Sequence, residues 1–464
     1  MSTQWTTQDI INATQGMSSG SWTASSVSID TRTLEKGALF VALLGTKVDG
    51  HEHVAAALEK GAVGALVSKQ IAGVDAAKLV IVKDVEKALQ ALGAAGRNRS
   101  QAKFIGITGS VGKTGAKEMI AAALKATGSV YATKGNLNNH LGVPLNLANL
   151  PLNVDYAVIE MGMNHAGEIS PLSLMTKPHV SLITTVDAVH IEFFETVEAI
   201  ADEKAAIFEG MGGKGVAVLN SDNPHYERLK KHAQARGMDR ILSFGTGKNA
   251  LCRMTHYAID DTQSVIEATI AGTAISYTVG TIGKHWALMS VAVLGVVDAL
   301  SADLAKAAAA LANFHEPKGR GQIKKLTVKA GNLRLVDDCY NASPVSMKGA
   351  IEKIAEIRDA SAEKVRTVVV LGDMLELGDH AEDLHVGLVP TLVNNQMDLV
   401  FAAGTFMEKM YHALPESMRG AYKPTSRELA PVVVEALRAN DLVLVKGSRG
   451  SRMDVVVEAI EGNR

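Results

Sequence analysis

One stretch, FIGITGSVGKTGAKEM (Phe104 to Met119), restricts the fold more than any other. FIGIT is a short apolar, β-branched run, and KEMIAAALKATG has the make-up of a helix. GSVGKT joins them. A strand entering a helix through a glycine-rich loop is the local form of a phosphate-binding loop. Glycine lets backbone N–H groups turn toward one anion, and the helix N-terminus adds the positive end of its dipole. Gly109, Ser110 and Gly112 would form the cradle, Lys113 would reach the β and γ phosphates, and the Thr114 hydroxyl would ligate Mg²⁺. The strict pattern G-x-x-x-x-G-K-[ST] is broken at one place, where Ile107 stands for its outer glycine.

The segments around the loop imply a parallel sheet. KFIGITG, DYAVIEMG, VSLITTV and GVAVLNS are near-continuous apolar runs alternating with helical patterns. Such strands are buried on both faces, with helices above and below. DTQSVIEATIAGTAISYTVG reads as a polar hairpin added to that sheet. Upstream, GALFVALLG, GALVS and KLVIV read as strands and HVAAALEKGA as a helix. FHEPKGRGQ, rich in Pro, Gly and charge, marks a boundary. Beyond it LRLVDD, VRTVVVLGD, DLVFAAG and DLVLVKGS alternate with helices, as in a second doubly wound sheet. There Ser343 is placed as an N-cap and Pro344 as the first helical residue, with Met347, Ile351 and Ile354 on one face. The expected fold class is α/β in three domains: a small α/β unit over 1–86, a central P-loop, doubly wound parallel-sheet domain over 87–316, and a Rossmann-like domain over 317–464.

With 464 residues, more than one core is required. Forty-seven basic and 49 acidic residues leave a formal net charge of -2, which offers no global attraction to nucleic acid or anionic lipid. Two cysteines, Cys252 and Cys339, are too few for a disulfide framework and fit a reducing cytoplasm. The start MSTQWTTQDI lacks the basic and apolar regions of a signal peptide, and WALMSVAVLGVVDAL is shorter than the roughly 20 residues of a membrane span, so it reads as a buried helix. A cytoplasmic chain without membrane insertion, acting as a monomer, is expected.

Strand ends of an open α/β sheet face one crevice, so Glu160, closing DYAVIE, and His190, after VSLITTVDAV, can meet near the phosphates. Oxygen ligands with an imidazole would suit a metal there. Lys204, within TVEAIADEKAAIFEGM, reads by residue type alone as a solvated charge.

The departure at Ile107 itself points to a family. TGSVGKT resembles the loop of the Mur ligases, T-G-[ST]-x-G-K-[TS], which lacks the outer glycine. The resemblance covers nearly the whole chain. It implies that Lys204 is carbamylated and helps hold a second Mg²⁺, with Glu160 and His190 at metal positions. It places Asn138 and Asn139, in KGNLNNHLGVP, against the phosphates of a nucleotide-sugar. Asp30, Arg32, Asp49 and His51, in SIDTRTLEKGALFVALLGTKVDGHEH, match a uridine-diphosphate-binding domain. GKHWALMSVAV is similar to the adenine-side helix H-N-x-x-N; His285 is kept, but Trp286 and Met289 replace the asparagines, so an asparagine contact does not carry over and Trp286 reads as core. EPKGRGQ brings Arg320 to the nucleotide at the hinge. In DDCYNASPVSMKGA, Asp337, Asp338, Tyr340 and Asn341 match D-D-x-Y-N-A-N-P-x-S-M, with Ser343 for an asparagine.

LGDMLELGDHAEDLHVGL and VKGSRGSRMD resemble the branch of the family that adds D-alanyl-D-alanine, and the Asp-Asn-Pro-Arg segment of the branch adding the third amino acid is not found. The implied activity is ATP-dependent amide formation between UDP-N-acetylmuramoyl-tripeptide and D-alanyl-D-alanine through an acyl phosphate, in the synthesis of peptidoglycan. A carboxylate is a poor acyl donor, and phosphorylation gives it a leaving group. Lys113, Lys204, His190 and two Mg²⁺ would serve that step. The alternatives are a sibling ligase, adding the third residue or glutamate to a folate, and a P-loop transport or switch ATPase that hydrolyses nucleotide without an amine acceptor.

Overall fold

The computed structural model of the protein describes residues 4–46, 48–238, 240–260 and 262–463. Its first unit is a parallel sheet in the order Ser26–Ser28, Ala38–Val41, Gly64–Val67, Leu79–Ile81, with Trp5–Thr6 paired antiparallel to Thr23–Ala24 beside it. All four residues of Ala38–Val41 and of Gly64–Val67 are buried, as expected for a strand covered on both faces.

This unit rests directly on the next. The helix Val85–Arg99 turns Leu89 and Leu92, both fully buried, into one apolar cluster with Trp5, Val27, Leu145 and Ala148. The Trp5 indole donates to the Ala148 carbonyl at 2.8 Å, and the Asn149 side chain bonds both backbone groups of Val27. A fully buried Leu or Val stabilises by roughly 1.5–3 kcal/mol. A hydrogen bond nets about 1 kcal/mol, so apolar burial dominates this contact.

The central sheet has nine strands in the order Thr273–Val279, Gln263–Ile270, Cys252–Asp260, Arg240–Gly245, Val216–Asn220, Val180–Ile183, Lys103–Thr108, Tyr156–Glu160, Val130–Ala132. The pairings from Val130–Ala132 to Cys252–Asp260 are parallel, and the last two are antiparallel. Helices Lys113–Lys125 and Lys284–Ala299 cover one face, and Ile169–Thr176 and Val197–Ala205 the other. The expected buried helix is thus Lys284–Ala299, with ten buried residues. From Lys103–Thr108 the chain runs to Val130–Ala132 on one side, and from the adjacent Val180–Ile183 it runs to Val216–Asn220 on the other, so the strand order reverses between them. That is the switch point at which open α/β sheets bind ligands.

The third unit orders its strands Gln322–Val328, Gly331–Asp338, Leu442–Lys446, Thr367–Gly372, Leu399–Ala403, Arg419–Lys423, with only the first antiparallel. Its helix Pro344–Asp359 starts as expected: the Ser343 hydroxyl accepts from Ser346 N–H, and Met347, Ile351 and Ile354 are fully buried.

Candidate active site

A cavity of about 690 Å³ opens where the central and third units face each other. Ser110, Gly112, Lys113, Thr114, Asn138, Asn139, Glu160, His190, His285, Arg320, Asp338, Tyr340 and Asn341 all line it. Residues chosen from separate strand ends therefore converge on one space.

The phosphate loop forms its floor. Gly109 and Gly112 have φ of 147° and 87°, which side chains resist. A Cβ on Gly109 would lie 1.9 Å from Thr184 Oγ1, and that hydroxyl donates to the Val111 carbonyl at 2.5 Å. The loop is thus locked onto the neighbouring strand. Gly109→Ala should displace it at a cost on the order of 1–3 kcal/mol. We expect a lower Tm and at least a tenfold loss of nucleotide affinity by calorimetry; unchanged affinity would contradict the role of this loop.

Lys113 begins helix Lys113–Lys125 and donates to the Gly109 carbonyl at 2.6 Å. Burial pushes its pKa down; Glu160 opposes that and Arg320 adds to it. The Ser110 hydroxyl donates to the Asp187 carbonyl at 3.0 Å and ties the loop to the segment leading to His190.

Glu160 is 1% exposed. Its Oε1 accepts from Thr114 Oγ1 at 3.2 Å and from Asn138 Nδ2 at 2.7 Å, while Oε2 is buried with no hydrogen-bond partner among the described residues. Such an oxygen is costly unless something pairs with it, and a small cation would. Among the described residues no group of three His, Cys, Asp or Glu could hold a metal ion. The adjoining oxygens of Glu160 and Thr114 suit Mg²⁺, which takes few protein oxygens and completes its shell with water and phosphate.

Lys204 lies in Val197–Ala205 and is 1% exposed, against the solvated charge its residue type suggests. Its ammonium has no hydrogen bond or ion pair among the described residues. Burial, then the nearby Lys113, hold its pKa well below the usual lysine range. The helix ends one residue after Lys204, and a tighter Ala206–Met211 turn follows, burying Ile207 and Phe208. His190 has φ 62°, and burial lowers its pKa.

The third unit supplies the opposite wall. Lys446 Nζ donates to Asp338 Oδ2 at 2.7 Å and to the Asn341 carbonyl at 3.0 Å, so one buried cation fixes two of the matched residues. Burial raises the Asp338 pKa. Asp337 is turned away, bonded to Lys324 at 2.9 Å. The Arg320 guanidinium lies 4.2 Å from the centre of the Tyr340 ring. His285 is exposed at the wall of the cavity, beside the buried Trp286. Trp286 is core, packed on Phe314 with ring centres 5.5 Å apart, and a Cβ on Gly115 would strike it at 2.5 Å.

Asn138 braces Glu160, and Asn139 Oδ1 accepts from Gly142 N–H at the start of Gly142–Ala148. Asp30, Arg32, Asp49 and His51 do not line this cavity. Arg32 is folded onto Asp30 at 2.6 Å, which lowers the Asp30 pKa to about 2. His51 is buried; its Nε2 accepts from Ser68 N–H at 2.9 Å and its Nδ1 meets Asp49 at 2.6 Å.

Sequence reasoning missed Lys117, Lys353 and Lys446. Lys117 has a fully buried side chain and donates to Thr133 and Gly135 carbonyls at 2.7 and 3.1 Å, holding the asparagine loop. Lys353 is buried against Glu316 at 2.7 Å. Only Lys446, ending the apolar strand of DLVLVKGS, carried a signal: a charge at the mouth of a sheet.

The comparisons agree with this architecture. Family models match as Mur ligase family, catalytic domain over residues 23–126, Mur ligase middle domain over 107–297, and Mur ligase, glutamate ligase domain over 319–449. A UDP-N-acetylmuramoyl-tripeptide--D-alanyl-D-alanine ligase of Rickettsia prowazekii is 34% identical over 95% of this chain and 96% of its own. The ligase of that name from Escherichia coli is 33% identical over 95% and 94%. A crystal structure of MurF from Acinetobacter baumannii superposes with a TM-score of 0.87 at 27% identity, covering 99% of both chains. This chain belongs to the Mur ligase family.

Proposed function

We propose that this chain is the ligase that joins D-alanyl-D-alanine to UDP-N-acetylmuramoyl-tripeptide at the expense of ATP. The observation that carries it is the shared cavity: a phosphate loop on one wall and the Asp338–Lys446–Asn341 group on the other. The full-length similarity to ligases of that name supports the substrates. The sibling and ATPase alternatives are not favoured.

Gly109, Ser110 and Gly112 cradle the phosphates, and Lys113 offsets charge on the γ-phosphoryl group. Glu160 and Thr114, with His190, would hold Mg²⁺, which supplies charge neutralisation between phosphate and carboxylate. A carbamate on Lys204 would turn a buried cation into an anion beside it; a buried amine whose pKa is lowered by burial and Lys113 fits that modification. The tripeptide carboxylate takes the γ-phosphoryl group, and the dipeptide amine then displaces phosphate to form the amide. Arg320 and His285 bound the nucleotide side, while Asp338, Tyr340 and Asn341 face the incoming dipeptide. Closure of the third unit excludes water, which would otherwise hydrolyse the acyl phosphate. In the first unit the Arg32 fork, paired with Asp30 in this structure, would turn to the uridine diphosphate, with Asp30 beside it in the substrate site. Asp49 and His51 shape that surface, and Asn138 and Asn139 bring the sugar phosphates toward the loop. No described helix is long and apolar enough to cross a membrane, and we place the reaction in the cytoplasm.

The test is phosphate release from MgATP with the nucleotide tripeptide, with and without D-alanyl-D-alanine. Release should require both and match a pentapeptide product. Release indifferent to the dipeptide would overturn the assignment.

A further inference from the structure

The central and third units touch at a second place, at the far edge of the cavity. His190 follows strand Val180–Ile183 and precedes the short turn Ile191–Phe193. Glu376 follows strand Thr367–Gly372 and precedes Gly378–His380. His190 Nδ1 and Glu376 Oε2 are 2.5 Å apart, one bond between loops 186 residues apart. Both residues hold φ of 62°, a left-handed backbone that non-glycine side chains avoid. The loops fit closely: a Cβ on Gly378 would lie 3.4 Å from Glu192 Cα. Two strained residues aimed at each other across a domain boundary indicate a contact the fold keeps at some expense.

The chemistry of that contact is directional. A carboxylate on Nδ1 takes the ring hydrogen there, which leaves the Nε2 lone pair free. No hydrogen bond to Nε2 of His190 is found among the described residues. Histidines that bind metals commonly donate the other ring N–H to a carboxylate, which fixes tautomer and ring direction. Usually both belong to one rigid scaffold. Here the carboxylate comes from the unit that must close over the dipeptide.

We infer that Glu376 is a positioning residue: by docking on His190 it sets the ring for Mg²⁺, so that closure of the third unit completes the metal centre. This rests on the reading of His190 as a metal ligand. It makes phosphoryl transfer depend on closure, so ATP is not spent in the open form.

The test uses Mn²⁺ as the probe, titrated by electron paramagnetic resonance into full-length enzyme with a non-hydrolysable ATP analogue, beside steady-state rates. Glu376→Ala should weaken Mn²⁺ binding about tenfold and lower kcat by a similar factor, the range seen when such partners are removed. Glu376→Gln keeps an oxygen to accept from Nδ1 and should restore most of the loss. In a His190→Ala background, Glu376→Ala should add nothing, since coupled residues are not additive. If His190→Ala weakens Mn²⁺ but Glu376→Ala leaves it within twofold, the coupling is refuted while the metal role stands. If His190→Ala itself leaves Mn²⁺ binding unchanged, the metal role falls and this inference with it.

Discussion

Lys204→Ala is expected to lose nearly all ligase activity, by on the order of a thousandfold, while the protein stays folded. The side chain is buried and its ammonium makes no hydrogen bond or ion pair among the described residues, with only Glu203 nearby to oppose the lowered pKa. A structural lysine in such a place would be paired, because an isolated buried charge is costly. Its lowered pKa makes it a neutral amine at a pH where ordinary lysines are charged, and a neutral amine can take up carbon dioxide. The alanine variant leaves space for an anion. Small carboxylates added without bicarbonate should therefore restore part of the rate. Full activity in Lys204→Ala would end the carbamate idea.

Stability provides an independent check with a defined sign. The folded pKa lies below the ordinary 10.5, so between the two the unfolded chain binds the extra proton. Stability then rises with pH across that window. Lys204→Met removes the group without leaving a hole. In bicarbonate-free buffer its Tm at neutral pH should be no lower than the parent's, with the difference narrowing as pH climbs toward 10.5. A marked fall would mean that Lys204 holds the fold.

Much of this was legible in the sequence, for reasons that can be named. Gly109, Lys113 and Thr114 were readable because a phosphate loop is a local object: strand, loop and helix are contiguous. Glu160 and His190 were readable because strand ends of a parallel sheet share one edge, whatever the helices do. Ser343 and Pro344 announced a helix through capping chemistry alone. The strands Val130–Ala132, Cys252–Asp260, Gln322–Val328 and Arg419–Lys423 were less visible. They are short or lie toward sheet edges, so polar residues interrupt their apolar runs. The burial of Lys204 was hidden because helical position says nothing about what packs above it. Glu376 was hidden for a deeper reason: its partner is 186 residues away in another unit, and no local pattern encodes that meeting.

Lys113→Ala should abolish turnover, lowering kcat by at least about a thousandfold, the scale at which single charge-stabilising groups act in phosphoryl transfer. The loss should fall on kcat more than on KM for ATP, because negative charge converges as carboxylate and γ-phosphoryl approach. Lys113→Arg should not substitute: the Nζ is a point donor 2.6 Å from the Gly109 carbonyl, and a planar guanidinium fork does not reproduce that geometry. The pH dependence gives a further separable result. Burial lowers the Lys113 pKa in the free enzyme, so kcat/KM for ATP should decline on the alkaline side before the ordinary lysine range is reached. Bound triphosphate adds negative charge and favours the protonated amine, so the alkaline limb of kcat should lie at higher pH than that of kcat/KM. A variant retaining more than a tenth of the parent's kcat, or two limbs that coincide, would remove Lys113 from the phosphate site and with it the assignment of the loop.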